Sequence, residues 1–161
     1  MNPLARANPP LEMIKYVRFR AALWLWARMV PVLAWRSDLI TLLARVTPSD
    51  RTPLAGLPAA AILRHAKRSV RRPWLMVDRP CLREGLLADR FLRLAGYAPE
   101  LHFGLDRASV RRDQLSAHCW IELDGRTVLN PPGDGMVEIL ARDADRRIRV
   151  PGQPDTAAGG A

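Results

Sequence analysis

The sequence predicts an α+β fold in which a helical first half packs with a core of one central helix and an antiparallel sheet. Three observations carry this. Apolar residues recur at helical spacing through the first half and again from Leu82 to Ala95. From Glu100 onward, short apolar runs are separated by turn signals, among them Asp124-Gly125. Helices come first and strands after, which is an α+β order.

Pro9-Pro10 opens a helix expected from Leu11 to about Val30, with apolar residues at 11, 14, 17, 21, 25 and 29. Trp24, Trp26 and Trp35 make its far end apolar nearly all round, so that end is expected to be buried or held against a partner. Ser37-Asp38 reads as the N-cap of a short helix, Leu39 to Val46. The stretch Thr47 to Pro58 carries Pro48, Pro53 and Pro58 and is a loop. A third helix runs from Ala59 to about Arg71, its last turn basic as the helix dipole favours. Pro80 precedes the central helix, where Leu82, Leu86, Leu87, Phe91, Leu94 and Ala95 form a stripe and Gly96 stands at the C-terminal cap. Strands are expected at 100–105, 117–123, 126–130, 136–140 and 147–150. This divides the chain into a helical region, 1–74, a core, 75–150, and a tail, 151–161, expected to be disordered, with one folded unit overall.

A chain of 161 residues has the size of one domain with a proper core, and 48% hydrophobic residues exclude a disordered chain. Met1 to Pro10 does not read as a signal peptide. The most apolar stretch, Ala21 to Trp35, contains Arg28 and Pro31 and falls short of the roughly 20 apolar residues of a spanning helix. Two cysteines without an export signal point to a reducing, cytoplasmic setting, where thiols are more often reactive than cross-linked. The net charge of +9 is uneven: residues 1–74 carry 13 Lys and Arg against three Asp and Glu. Such an excess attracts nucleic acid, anionic lipid or an acidic protein segment, and it is also what an arginine-rich chain carries without any such role.

The chemistry concentrates in "SAHCWIELDG", Ser116 to Gly125. On a strand, His118, Trp120 and Glu122 share one face, and Cys119, Ile121 and Leu123 the other. His118 and Cys119 therefore do not form a catalytic pair, and a thiol that works with His118 must be Cys81. Cys81 follows Pro80 in the first turn of the central helix, where unpaired N–H groups and the dipole favour a thiolate. His118 would serve as base and then acid. Against this stands the plain structural reading of a buried thiol and a satisfied histidine. A zinc site is disfavoured: no CxxC or HxxxH spacing exists, and Cys119 is expected to face away. His65 and His102 are assigned to solvent or core.

A third group should orient the imidazole. Asp124 lies six residues along, about 20 Å away on a strand, and belongs to the turn. Asn130 reaches under one condition. A three-residue loop, Leu123 to Gly125 with Gly125 left-handed, or a bulge of equal effect, sets it opposite His118, whereas a two-residue Asp124-Gly125 turn turns it away. Its amide oxygen would then hold the ring, as in Cys-His-Asn sites.

The segments "RPCLREGLLADRFLRLAGYAPELHFGL", "AHCWIELDG" and "VLN" together resemble the transglutaminase-like cysteine peptidases of lasso-peptide biosynthesis. The likeness covers about residues 75–130. It rests on a Cys opening a leucine-rich helix that ends at glycine, a strand with a small glycine-containing run, and His-x-Trp-hydrophobic-Glu before a hairpin. It implies a transglutaminase/papain-like core with Cys81 and His118 as the catalytic pair. The family's third member is commonly an Asp where this chain has Asn130, which removes a charge that would stabilise the imidazolium; Asp134, in "PPGDG", is the alternative. The resemblance further implies a leader peptidase that needs no metal or bound cofactor and acts on a ribosomal precursor peptide. Its partners would be a lasso cyclase and, because residues 1–74 lack the strands of a winged-helix element, a separate leader-recognition protein. Nucleic acid is not among the expected partners. Other acyl transfer or amidase chemistry on the same fold, or a non-enzymatic basic helical binder, are the competing expectations.

Overall fold

The computed structural model describes residues 9–71, 76, 78–109 and 115–152. Among them four helices precede five strands: α1 (Pro9–Trp35), α2 (Leu39–Val46), α3 (Ala59–Val70), α4 (Pro80–Leu94), β1 (Glu100–Asp106), β2 (Ala117–Leu123), β3 (Arg126–Leu129), β4 (Met136–Arg142) and β5 (Ile148–Arg149). From residue 153 on, the expected tail lies outside the described residues. No helix among the described residues is long and apolar enough to cross a membrane.

Helix α1 runs five residues beyond its expected end and continues through Pro31. Proline has no N–H to give the carbonyl of Ala27 four residues back. Arg83 of α4 supplies the missing donor, with Nε 3.0 Å from that oxygen and Nη2 on it as well. Phe19, Leu23, Ala27 and Val30 form the buried face of α1, and Phe19 meets the Phe91 ring edge-on at 5.5 Å. The apolar stripe read from the sequence is the opposite face: Leu11, Ile14, Val17, Leu25 and Met29 point outward, with Trp24 57% and Trp35 83% exposed. A helix that is apolar nearly all round carries no period that selects its buried side. Of the three tryptophans Trp26 packs against the core, with the Arg90 guanidinium 3.6 Å over its ring, while the exposed Trp24 carries the Arg28 guanidinium at the same distance.

The short α2 is capped as expected: the Asp38 carboxylate accepts from the Thr41 N–H at 2.9 Å. Helix α4 is central, packed on α1 and α3 and on β2. It is pinned by a buried ionic group in which Asp89 accepts from Arg93 at 3.1 Å and from Arg142 of β4. Arg142 also donates to the Leu43 carbonyl at 3.1 Å, so one side chain ties α2, α4 and β4 together.

The sheet is antiparallel, in the order β3-β2-β1-β4-β5. Leu101, Phe103, Cys119, Ile121 and Leu129 join the helix-side core. On the other face His102 stacks on Trp120 at 5.3 Å, and its Nδ1 lies 2.7 Å from Glu138 Oε2.

The β2–β3 hairpin does not form the three-residue loop that would set Asn130 opposite His118. Leu123 pairs with Arg126 and Glu122 with Thr127, so the turn is Asp124-Gly125 alone, both left-handed at φ 51° and 70°. That is the type I′ geometry Asp-Gly favours, because its twist matches the strands. A bulge follows, and Ile121 pairs with Leu129. The bulge restores the parity that the expected loop would have produced, but displaces β3 the other way. Asn130 therefore lies just past the end of its strand and not directly across from His118.

Candidate active site

Pro80 occupies the first helical position of α4, where its missing N–H leaves no gap and its fixed φ starts the turn. Cys81 comes next, among the unpaired N–H groups at the positive end of the helix dipole. One turn on, Gly85 faces β2. A Cβ there would lie 2.9 Å from Cys119 Sγ and 3.2 Å from Leu101 Cδ1. The bare glycine lets the helix close onto the sheet, and Cys119 Sγ, fully buried, lies 2.9 Å from the Cys81 carbonyl oxygen and within reach of the Cys81 side chain.

Strand alternation does separate His118 from Cys119, but it does not keep Cys119 out of the site, which corrects the expectation that it faces away. Both neighbours act on Cys81, because the tip of α4 lies over the start of β2. The half-buried Cys81 thiol is drawn down to about 5. The largest cause is a hydrogen bond from the Cys119 thiol; burial opposes it, and the Cys119 N–H, the charge of His118 and a hydrogen bond from His118 add to it. Cys119 moves the opposite way, well above the usual thiol range, held there by its bond to Cys81, by burial, and by the charges of Cys81 and Glu84. Of the two thiols, one keeps its proton and the other gives it up.

The half-buried His118 places Nε2 3.0 Å from the main-chain oxygen of Asn130. A carbonyl only accepts, so Nε2 carries the hydrogen, and in the neutral ring Nδ1 holds the lone pair. The orienting group is thus the backbone of Asn130 and not its amide oxygen, a correction to the triad drawn from the sequence. Asn130 is left-handed at φ 50°, a conformation asparagine tolerates better than most residues, and it precedes Pro131. Its Nδ2 is buried without a hydrogen bond of its own. The amide lies near enough to Glu84 to favour that carboxylate's charged form, although burial dominates and pushes Glu84 upward.

Glu84 and Cys119 are the residues that sequence reasoning missed. Glu84 sits three residues after Cys81, the spacing that puts two side chains on one helix face, so a signal was available. For Cys119 the signal was Gly85, whose lack of a side chain marks a close approach to a neighbouring element. Asp134 is exposed on the loop before β4 and makes no hydrogen bond or ion pair among the described residues. Asp124 belongs to the turn. His65 is partly buried at the edge of the core, 2.5 Å from Tyr16 Oη and edge-on to the Phe19 ring. Among the described residues no three His, Cys, Asp or Glu side chains are grouped so as to hold a metal ion.

No curated protein and no solved structure gives a significant match to the chain. The sequence profile of the transglutaminase-like superfamily does match, over residues 21–140. That span reaches from the middle of α1 into β4 and contains Cys81, Glu84, Gly85, His118, Cys119 and Asn130. A core helix that opens on a cysteine, packed on an antiparallel sheet that carries the histidine, is what the match covers, and the chain belongs to the transglutaminase-like superfamily.

Proposed function

We propose that the protein is a cysteine peptidase that removes the leader from a ribosomal precursor peptide during lasso-peptide maturation. The carrying observation is the Cys81 thiol, drawn down to about 5 at a helix start, beside a histidine whose Nε2 is held by the Asn130 carbonyl. Cys81, as the thiolate, is the nucleophile and His118 the general acid. The thiolate attacks the carbonyl of the last leader residue, and the Cys81 N–H faces the oxygen that becomes negative. His118 gives its proton to the departing amine, the new N-terminus of the core peptide. Water, deprotonated by His118, then hydrolyses the thioester and frees Cys81. The chemistry calls on no metal or cofactor, and the released amine is the group a lasso cyclase would acylate.

A separate leader-recognition protein completes this reading. The outward face of α1 presents Ile14, Val17, Trp24, Leu25, Val32 and Trp35 to solvent, with Arg18, Arg20 and Arg36 exposed among them. An apolar face with a basic rim suits a partner that offers an apolar patch bordered by acidic residues. A groove of about 400 Å³ continues this face between α1, Pro53-Leu54 and α4. The setting is the cytoplasm, where the precursor is made and thiols stay reduced.

The test is incubation with the precursor peptide and a primary amine, with and without the recognition protein, the products read by mass. Two fragments that together gain one water, formed faster with the partner, are the expected result. An amine adduct in place of hydrolysis would move the protein to the acyl-transferase reading, and no covalent chemistry at Cys81 would leave it a binding protein.

A further inference from the structure

Cys81 and Cys119 are the two cysteines of the chain, both free, and one buried thiol lies against the residue that bears the other. Peptide hydrolysis needs one thiol, so the mechanism leaves the second without a chemical step. We propose that the two form a reversible redox pair, in which peroxide oxidation of Cys81 is captured as a Cys81–Cys119 disulfide.

The first step suits Cys81. It is partly exposed where Cys119 is sealed, and a thiolate is the species that peroxide oxidises. The sulfur attacks one peroxide oxygen: an S–O bond forms, the O–O bond breaks, and hydroxide leaves and takes up a proton to become water. Sulfur loses two electrons and Cys81 becomes a sulfenic acid.

The second step follows from what that change does to Cys119. Cys119 Sγ stands 2.9 Å from the Cys81 carbonyl oxygen, and the negative charge on Cys81 disfavours its ionisation. That charge is gone when Cys81 is a neutral sulfenic acid, and Cys119 is then freer to ionise. Its sulfur attacks Cys81 Sγ, an S–S bond forms, the S–O bond breaks, and the departing hydroxide combines with the Cys119 proton as water. Gly85 leaves no side chain between helix and strand at this point, and Cys119 Sγ already touches the Cys81 residue through its carbonyl oxygen. A dithiol reductant returns two electrons and both thiols. The nucleophile is thus spared the irreversible sulfinic and sulfonic acids.

The proposal does not rest on the peptidase reading, and its test needs no substrate. The full chain is treated with a few equivalents of hydrogen peroxide and followed by intact mass. The expected product has lost two hydrogens, yields a non-reducing peptide map joining the Cys81 and Cys119 peptides, and returns to the starting mass with dithiothreitol. The Cys119→Ser variant should instead gain two or three oxygens on Cys81 and resist dithiothreitol. Wild type that gains those oxygens as fast as the variant, or that links only between chains, would overturn the pair. A disulfide with no peptide cleavage in any assay would leave it standing while removing the peptidase reading.

Discussion

His118 donates from Nε2 to the main-chain oxygen of Asn130 at 3.0 Å, so the third position of the site is a backbone carbonyl. A carbonyl fixes tautomer and ring orientation without supplying a negative charge. The side chain of Asn130 then matters for the left-handed backbone it permits, φ 50°. Asn130→Gly keeps that backbone and should reduce kcat/KM for precursor cleavage by less than about tenfold. Asn130→Ala, which meets roughly 1–2 kcal/mol of strain there, should lose more. His118→Ala should cost about 10²–10⁴-fold, the range of a lost general acid-base. Equal losses in the glycine and alanine variants would return the role to the amide.

Reactivity of Cys81 should follow a thiolate fraction that rises with pH through about 5. A lowered thiol value means full reactivity at neutral pH and about a tenth of it near pH 4. The rate of iodoacetamide labelling against pH measures this directly. Cys119→Ala removes the largest cause of the lowering and should move the curve to higher pH, and His118→Ala should move it less. An unshifted curve in Cys119→Ala would show that the second thiol does not hold the first.

The outward face of α1 should govern partner binding and not folding. Trp24→Ala and Trp35→Ala remove side chains that are 57% and 83% exposed, so chemical denaturation should shift by no more than about 0.5 kcal/mol. If this face docks the recognition protein, buried tryptophan anchors contribute about 2 kcal/mol or more, and Kd should rise about 30-fold. Unchanged partner stimulation in the double variant would place the docking surface elsewhere.

These expectations also mark where reading the sequence worked. Local rules carried the elements: Ser37-Asp38 caps α2, Pro80 opens α4, Gly96 is left-handed at its end with φ 88°, and Asp124-Gly125 closes the hairpin. What failed was set by tertiary packing. Nothing in the order of residues says which side of an all-round apolar helix meets Phe91, and the stripe through Leu11 and Leu25 proved to be the outer one. The hairpin register turned on a bulge after Thr127, where the chain carries no Gly, Pro or Asn to announce it. Strand alternation was right about which faces His118 and Cys119 occupy. It is silent on how closely a helix descends onto one of them, and that is decided at Gly85.

Gly85 supplies the sharpest energetic test, because two effects of opposite sign meet there. Replacing a mid-helix glycine by alanine stabilises a helix by about 1 kcal/mol. The new Cβ, however, would stand 2.9 Å from Cys119 Sγ in a closed core, and overpacking of that kind costs about 1–3 kcal/mol. The clash should win, so Gly85→Ala should destabilise the protein and, by lifting α4 from β2, slow the alkylation of Cys81. In a Cys119→Ala background the opposing sulfur is gone and the nearest remaining atom, Leu101 Cδ1 at 3.2 Å, is the tip of a flexible side chain. There the helix preference should prevail, and Gly85→Ala should become neutral or stabilising. Denaturant titration of the two single variants and the double variant reads the coupling, which should exceed about 1 kcal/mol. Additivity within about 0.5 kcal/mol would mean that Gly85 and Cys119 do not constrain each other.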